Sequence, residues 1–163
     1  MNDLLTALDD DGQGRLGHRG ARFLLIRAET LIALQRALEA ALGDGAAEVL
    51  AAGGRAGGAK ATASLAGSVE ERVRQLTAMG TKLGWGHFAL ETLGPDRFVI
   101  TVRHSAFAEA YGHSPKPVCH LVRGVLESLA ATVLARPSRV VESACAATGA
   151  PLCRFEASAE SAP

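Results

Sequence analysis

The apolar positions along the chain mark out its elements in turn. RFLLI, residues 22–26, predicts a short strand leading into a helix. From Arg27, Leu31, Leu34, Leu38 and Leu42 recur at helical spacing until GDG at 43–45 stops the run. AAEVLAA predicts a second short helix ending at Gly53-Gly54, and GGRAGGAKA then predicts a bend where two backbones approach closely. Ser68 and Glu71 have the spacing of a capping box, and Val69, Val73, Leu76 and Leu83 share one face of the helix that follows, which closes at Gly84.

Farther on the period changes. WGHFALETL and RFVITVR flank a Gly-Pro-Asp turn, and Phe98, Ile100 and Val102 alternate as in a half-buried strand. Ser105 predicts a cap for a brief helix, AFAEAYG, before the loop HSPKP. Pro117 is placed to open a long helix striped by Val118, Val122, Val125, Leu129 and Val133 and ending at Ala135. RPSRVVESAC and CRFEASA form a last strand pair, and a frayed tail follows. Helices, hairpin, helix, hairpin predict an α+β domain in which helices cover a mostly antiparallel sheet. The organisation expected is an N-terminal arm or short edge element over 1–20, a single binding domain over 21–158, and a tail over 159–163.

Composition narrows the function classes. At 163 residues, 48% of them apolar, the chain has enough sequence for one domain with its own core. Lys and Arg balance Asp and Glu at 17 each, and no basic block exists, which argues against holding nucleic acid directly by phosphate neutralisation. No run of 18 apolar residues predicts a membrane span. The acidic, Gly-rich start lacks the regions of a signal peptide, so the expectation is a cytoplasmic protein with reduced thiols.

Those thiols carry the candidate chemistry. Cys145 and Cys153 bracket a seven-residue loop containing Gly149-Ala150-Pro151, and closing the loop brings both sulfurs to the end of a hairpin. Cys119, at the third position of a helix opened by Pro117, would sit among unpaired N–H groups that favour a thiolate. Glu142 offers a hard oxygen three residues before Cys145. Three thiolates and a carboxylate in tetrahedral array would make a closed, structural zinc site. For Glu142 and Cys145 to face one way, the strand must bulge or end near Ser143 or Ala144. Three alternatives stay open on the residues alone: plain burial of the cysteines, a Cys145–Cys153 disulfide, and His113 or His120 as ligand in place of Glu142.

The pattern Pro117-Val118-Cys119, Gly124, Glu142-Ser143-Ala144-Cys145, Gly149 and Cys153-Arg154-Phe155 resembles the 4-vinyl reductase domain family. Counterparts upstream, from RFLLIRAETLIALQRALEAALG through LGWGHFALETL to FVITVRHSAFAEAYG, extend the resemblance over roughly residues 20 to 158. It implies an α/β plait like that of vesicle-tethering TRAPP subunits, a homodimer, an enclosed apolar cavity, and structural Zn2+ on Cys119, Glu142, Cys145 and Cys153. The family's regulators carry an ATPase module and a DNA-binding module after this domain, so in a chain ending at Pro163 the output is expected to pass to a partner protein. Phenol sensors place a tryptophan where this chain reads FVITVRHS, which makes phenol a poor candidate ligand.

The expected function is a non-catalytic sensor or carrier for a small hydrophobic molecule. Trp85, Phe88, Phe98, Phe107 and Tyr111 are the candidate lining, with His87 and His104 as polar handles. An accessory role in tetrapyrrole or other cofactor metabolism, suggested by the family's name, and a ligand-free protein scaffold are the alternatives. No set of residues demands catalysis.

Overall fold

A computed structural model describes residues 7–18 and 20–160. Residues 1–6 and Arg19 of the expected arm, and 161–163 of the expected tail, lie outside the described residues. Three very short strands, β1 (Asp9–Asp10), β2 (Leu16–His18) and β3 (Ala21–Phe23), form an antiparallel meander. The strand expected over 22–26 ends at Phe23, and Leu24, Leu25 and Ile26 are exposed. Three helices follow: α1 (Ala28–Leu42), α2 (Ala46–Thr62) and α3 (Val69–Lys82). The hairpin β4 (His87–Leu93) and β5 (Arg97–Arg103) leads to α4 (Ala106–Tyr111) and α5 (His120–Leu134). A second hairpin, β6 (Ser138–Ala144) and β7 (Cys153–Ala159), completes an antiparallel sheet of order β4-β5-β7-β6.

The architecture is α+β, as the pattern predicts. One face of the sheet presents Phe98, Ile100, Val102, Val140, Phe155 and Ala157, all buried, to the apolar stripe of α5. The opposite face carries polar residues such as Glu91, Arg154 and Glu156, with Arg154 paired to both carboxylates. The capping box at Ser68 and Glu71 forms in both directions, and α3 begins at Val69 as that motif requires.

Three expectations need correction. In α1 the buried positions are Ile32 and Gln35, whereas Leu34 and Leu42 are exposed. Helical spacing is met by both sets, and tertiary packing selects the one that faces the domain. GGRAGGAKA does not bend the chain; α2 runs unbroken through Gly53, Gly54, Gly57 and Gly58. Four helical glycines cost roughly 3–4 kcal/mol against alanine. Close contact with α5 offsets that cost: a Cβ on Gly54 would overlap the carbonyl oxygen of Leu121, and one on Gly124 would overlap that of Ala51. The close backbone approach read from these glycines is therefore present, but between two helices. Finally, α5 starts at His120 rather than Pro117, which makes Cys119 its N-cap residue.

Candidate functional site

Local geometry explains how four distant side chains meet. Pro117 cannot donate a backbone hydrogen bond, and the chain enters α5 only after Cys119, its N-cap. The β6–β7 register shifts between Glu142 and Ala144, leaving Ser143 as the extra residue. The bulge anticipated from the odd spacing is thus present, and it turns both Glu142 and Cys145 inward while Ser143 stays exposed. Cys145 then enters a 3-10 turn, Ala146–Thr148, whose C-cap Gly149 has φ 93°. That left-handed position suits glycine and returns the chain to Cys153 at the start of β7.

The structure brings Cys119, Glu142, Cys145 and Cys153 together, with one donor atom from each lying within 4.8 Å of all the others. The three cysteines are at most 1% exposed and Glu142 is 9% exposed. All three thiols are free, and Cys119 Sγ lies 3.7 Å from Cys153 Sγ. His113 and His120 do not join the group. The backbone N–H of Cys119 donates to Glu142 Oε2 at 3.0 Å, and that of Ala146 donates to Cys153 Sγ at 3.3 Å. Ser105 Oγ, the cap of α4, lies 3.5 Å from Cys119 Sγ.

Glu142 Oε1 is buried and makes no hydrogen bond. Leaving a buried carboxylate oxygen unpaired costs on the order of 1–3 kcal/mol, a penalty that native interiors rarely tolerate without a ligand. The protonation of the group tells the same story. Burial pushes the Glu142 carboxyl up to about 8. Hydrogen bonds with Cys119 and Cys145 pull the Cys153 thiol down to about 4. Hydrogen bonds with Cys145 and Cys153, together with burial, push the Cys119 thiol up. The cluster thus shares protons among groups too close to be charged together, and a divalent cation would take the place of those protons. The residues fit such an ion. Three soft sulfurs and one oxygen, enclosed and offering no water position, match structural Zn2+ and not Ca2+ or Mg2+, which require six or more oxygens or retained water.

Farther along α5 lies an apolar cavity of about 290 Å³. Its walls come from α2 (Gly53, Gly57), α3 (Met79, Gly80) and α5 (Leu121, Val125), with Trp85 and Phe88 at one side. Of the candidate lining residues, Trp85 and Phe88 border this cavity; Phe107 packs on Trp85, its ring centroid 5.2 Å away and nearly perpendicular. Phe98 lies in the sheet core, fully buried. Tyr111 donates to Glu39 Oε2 at 2.7 Å beneath the Arg36 guanidinium. His104 is exposed, with φ 52° and its ring 3.3 Å from Glu109, and His87 is exposed at the start of β4.

The glycine wall and the α5 residues Leu121 and Val125 were not among the candidates. The signal lay in the spacing of glycines 53, 54, 57 and 58, which repeats at one helical turn and so puts them on a single face. Gln35 was likewise unanticipated: buried in α1, it donates to the Val118 carbonyl at 3.0 Å, one residue before Cys119 of the cluster.

Residues 98–159 match the 4-vinyl reductase domain family, and this segment contains all four clustered donors. No curated protein matches the chain in sequence. Among solved structures, the fold is similar to the phenol-responsive sensory domain of the transcription activator PoxR with phenol. That likeness has TM-score 0.83 at 18% identity and covers 96% of this chain and 87% of that one. A vinyl-4-reductase family protein from Methanocaldococcus jannaschii superposes with TM-score 0.54 at 14% identity, covering 85% and 98% of the two chains. A trafficking protein particle complex subunit 3 from Naegleria fowleri, covalently bound to palmitic acid, gives 0.60 at 9% identity over 82% and 95%. The α/β plait of 4-vinyl reductase and TRAPP-like proteins is therefore the fold of this chain. Among the described residues no helix is long and apolar enough to cross a membrane.

Proposed function

We propose that this chain, similar over residues 98–159 to 4-vinyl reductase domains, is a zinc-stabilised, non-catalytic binding module for a small hydrophobic molecule, acting as a sensor whose output passes to a partner protein. The observation that carries this reading is the apolar cavity walled by α5, the helix whose N-cap belongs to the group of three thiols and Glu142. A metal at that group would fix α5 against the terminal hairpin and so keep the cavity wall in place. The likeness to a phenol-responsive domain with phenol supports the sensor reading, and that to a subunit bound to palmitic acid supports an apolar ligand.

The test combines two measurements on the purified chain: metal content by elemental analysis, and melting temperature across a panel of aromatic and aliphatic compounds. About one zinc per chain and a saturable thermal shift with at least one compound are expected. A chain that holds no metal and responds to none of the panel would refute the reading.

The homodimer belongs to the same proposal. Leu24, Leu25 and Ile26, with Leu34 and Leu42 of α1, leave large apolar side chains exposed on the N-terminal segment and the helix that follows it. Contiguous exposed apolar surface marks association sites, and residues 24–26 supply three such side chains in succession. Leu34→Asp is expected to halve the mass measured by light scattering at micromolar concentration without loss of helicity. A wild-type chain that is already monomeric there would remove the dimer from the proposal.

A further inference from the structure

Taking the thiol group as the metal site proposed above, we propose that Ser105 is a positioning residue of that site, its hydroxyl donating to the Cys119 sulfur and holding it toward the ion. Ser105 is not one of the four donors. It lies in the turn between β5 and α4, 14 residues before Cys119.

The direction of the bond follows from counting hydrogens. As the N-cap of α4, Ser105 Oγ accepts the backbone N–H of Ala108 at 3.3 Å. A hydroxyl that accepts still has its own hydrogen to give. Ser105 is 1% exposed, which keeps water from taking that hydrogen. Among the described residues the Cys119 sulfur, at 3.5 Å, is the other hydrogen-bond partner of this oxygen. A cysteine that ligates a metal has lost its hydrogen and can only accept. With an ion in place the bond therefore runs from Ser105 to Cys119, and the charge on sulfur strengthens it.

The backbone fixes where that hydroxyl sits. His104, immediately before Ser105, has φ 52°, a left-handed conformation uncommon for residues other than glycine. Gly86 leaves room for this turn, since a Cβ there would come within 2.9 Å of the Arg103 carbonyl oxygen and 3.1 Å of that of His104. The Ala106 N–H then donates to the Trp85 carbonyl at 3.1 Å. The chain thus passes from β5 into α4 along a route held on both sides of Ser105, and that route sets its oxygen against Cys119. Cys153 is served similarly, by the Ala146 N–H at 3.3 Å. Two of the three sulfurs each receive a hydrogen from outside the four donors. Such hydrogen bonds orient metal ligands, and losing one weakens metal binding by about 10–100-fold.

Ser105→Gly and Ser105→Thr separate this role from capping. Glycine gives up little as an N-cap relative to serine, and threonine keeps the hydroxyl. Each variant is compared with the wild-type chain, loaded with zinc or, after growth with cobalt, with Co2+. Ser105→Gly is expected to hold zinc about tenfold or more less tightly against a competing chelator. Its sulfur-to-cobalt charge-transfer band should move to longer wavelength, because a thiolate without its hydrogen bond gives up an electron more readily. Ser105→Thr should restore both. A glycine variant with wild-type affinity would overturn the inference, as would one with weakened affinity and an unmoved band, which is what packing alone produces. A threonine variant that matches glycine in both readouts would overturn it too. A wild-type chain that takes up neither zinc nor cobalt would overturn the metal reading, and this inference with it.

Discussion

With the thiol group taken as the zinc site proposed above, Cys145→Ser is expected to release the metal and to lower the melting temperature by roughly 10 °C or more. Structural zinc contributes directly to folding free energy, and among the described residues no fifth Cys, His, Asp or Glu belongs to the group to replace a lost ligand. Breaking a buried charged group by removing one partner costs about 3–5 kcal/mol, and for a domain of this length each kcal/mol moves the midpoint by about 2–4 °C. The cost is concentrated here because the whole group is buried and because Glu142 Oε1 has no other partner to turn to. A chelator should reproduce the loss in the wild-type chain and add little to the variant, which separates metal loss from a packing defect at the serine. Zinc content by elemental analysis and calorimetric melting check both arms. A variant that melts within about 2 °C of wild type, less than a 1 kcal/mol defect produces, or that keeps its zinc, would contradict the proposed role of the metal.

How much of this site was legible before the fold depends on the residue. Spacing alone could not choose between a ligand cluster, a disulfide and buried thiols, since nothing in C-x25-C-x7-C fixes how β6 and β7 end. The residues offered the set of four as one option, with a bulge near Ser143 as the geometric consequence of facing Glu142 and Cys145 the same way, and resemblance to a family favoured that option over the others. The strand pairs and the capped helix α3 were readable because alternation, turn residues and capping chemistry are local signals. Leu34 and Gly57 show what was not local. Helical periodicity says that a face exists, but not which face the rest of the domain covers. A run of glycines lowers helix propensity and so reads as a bend. Only a second helix pressed against it, with Gly124 opposite, makes continuation the better solution. The side chains expected to line a pocket were chosen as large aromatics, yet much of the actual wall consists of glycine and alanine.

Gly124→Ala is expected to destabilise the chain by about 3 kcal/mol or more, although alanine is intrinsically better in a helix by about 1 kcal/mol. The added methyl would overlap the backbone carbonyl of Ala51 and crowd its Cα at 2.9 Å. Backbone on α2 cannot rotate away as a flexible side chain could, so the two helices must separate. Separation also breaks the contacts of Gly54 with Leu121 and of Gly58 with Val125 and Ser128, which lie along the same seam. Gly57→Ala provides the contrast, since its methyl meets nothing within 4 Å and should stabilise α2 by up to about 1 kcal/mol. Urea unfolding of the two variants measures the opposed signs directly. A Gly124→Ala protein as stable as the parent would mean that α2 and α5 are not in contact along their glycines. Since α5 links its N-cap Cys119 to the wall residues Leu121 and Val125, that result would also uncouple the thiol group from the cavity.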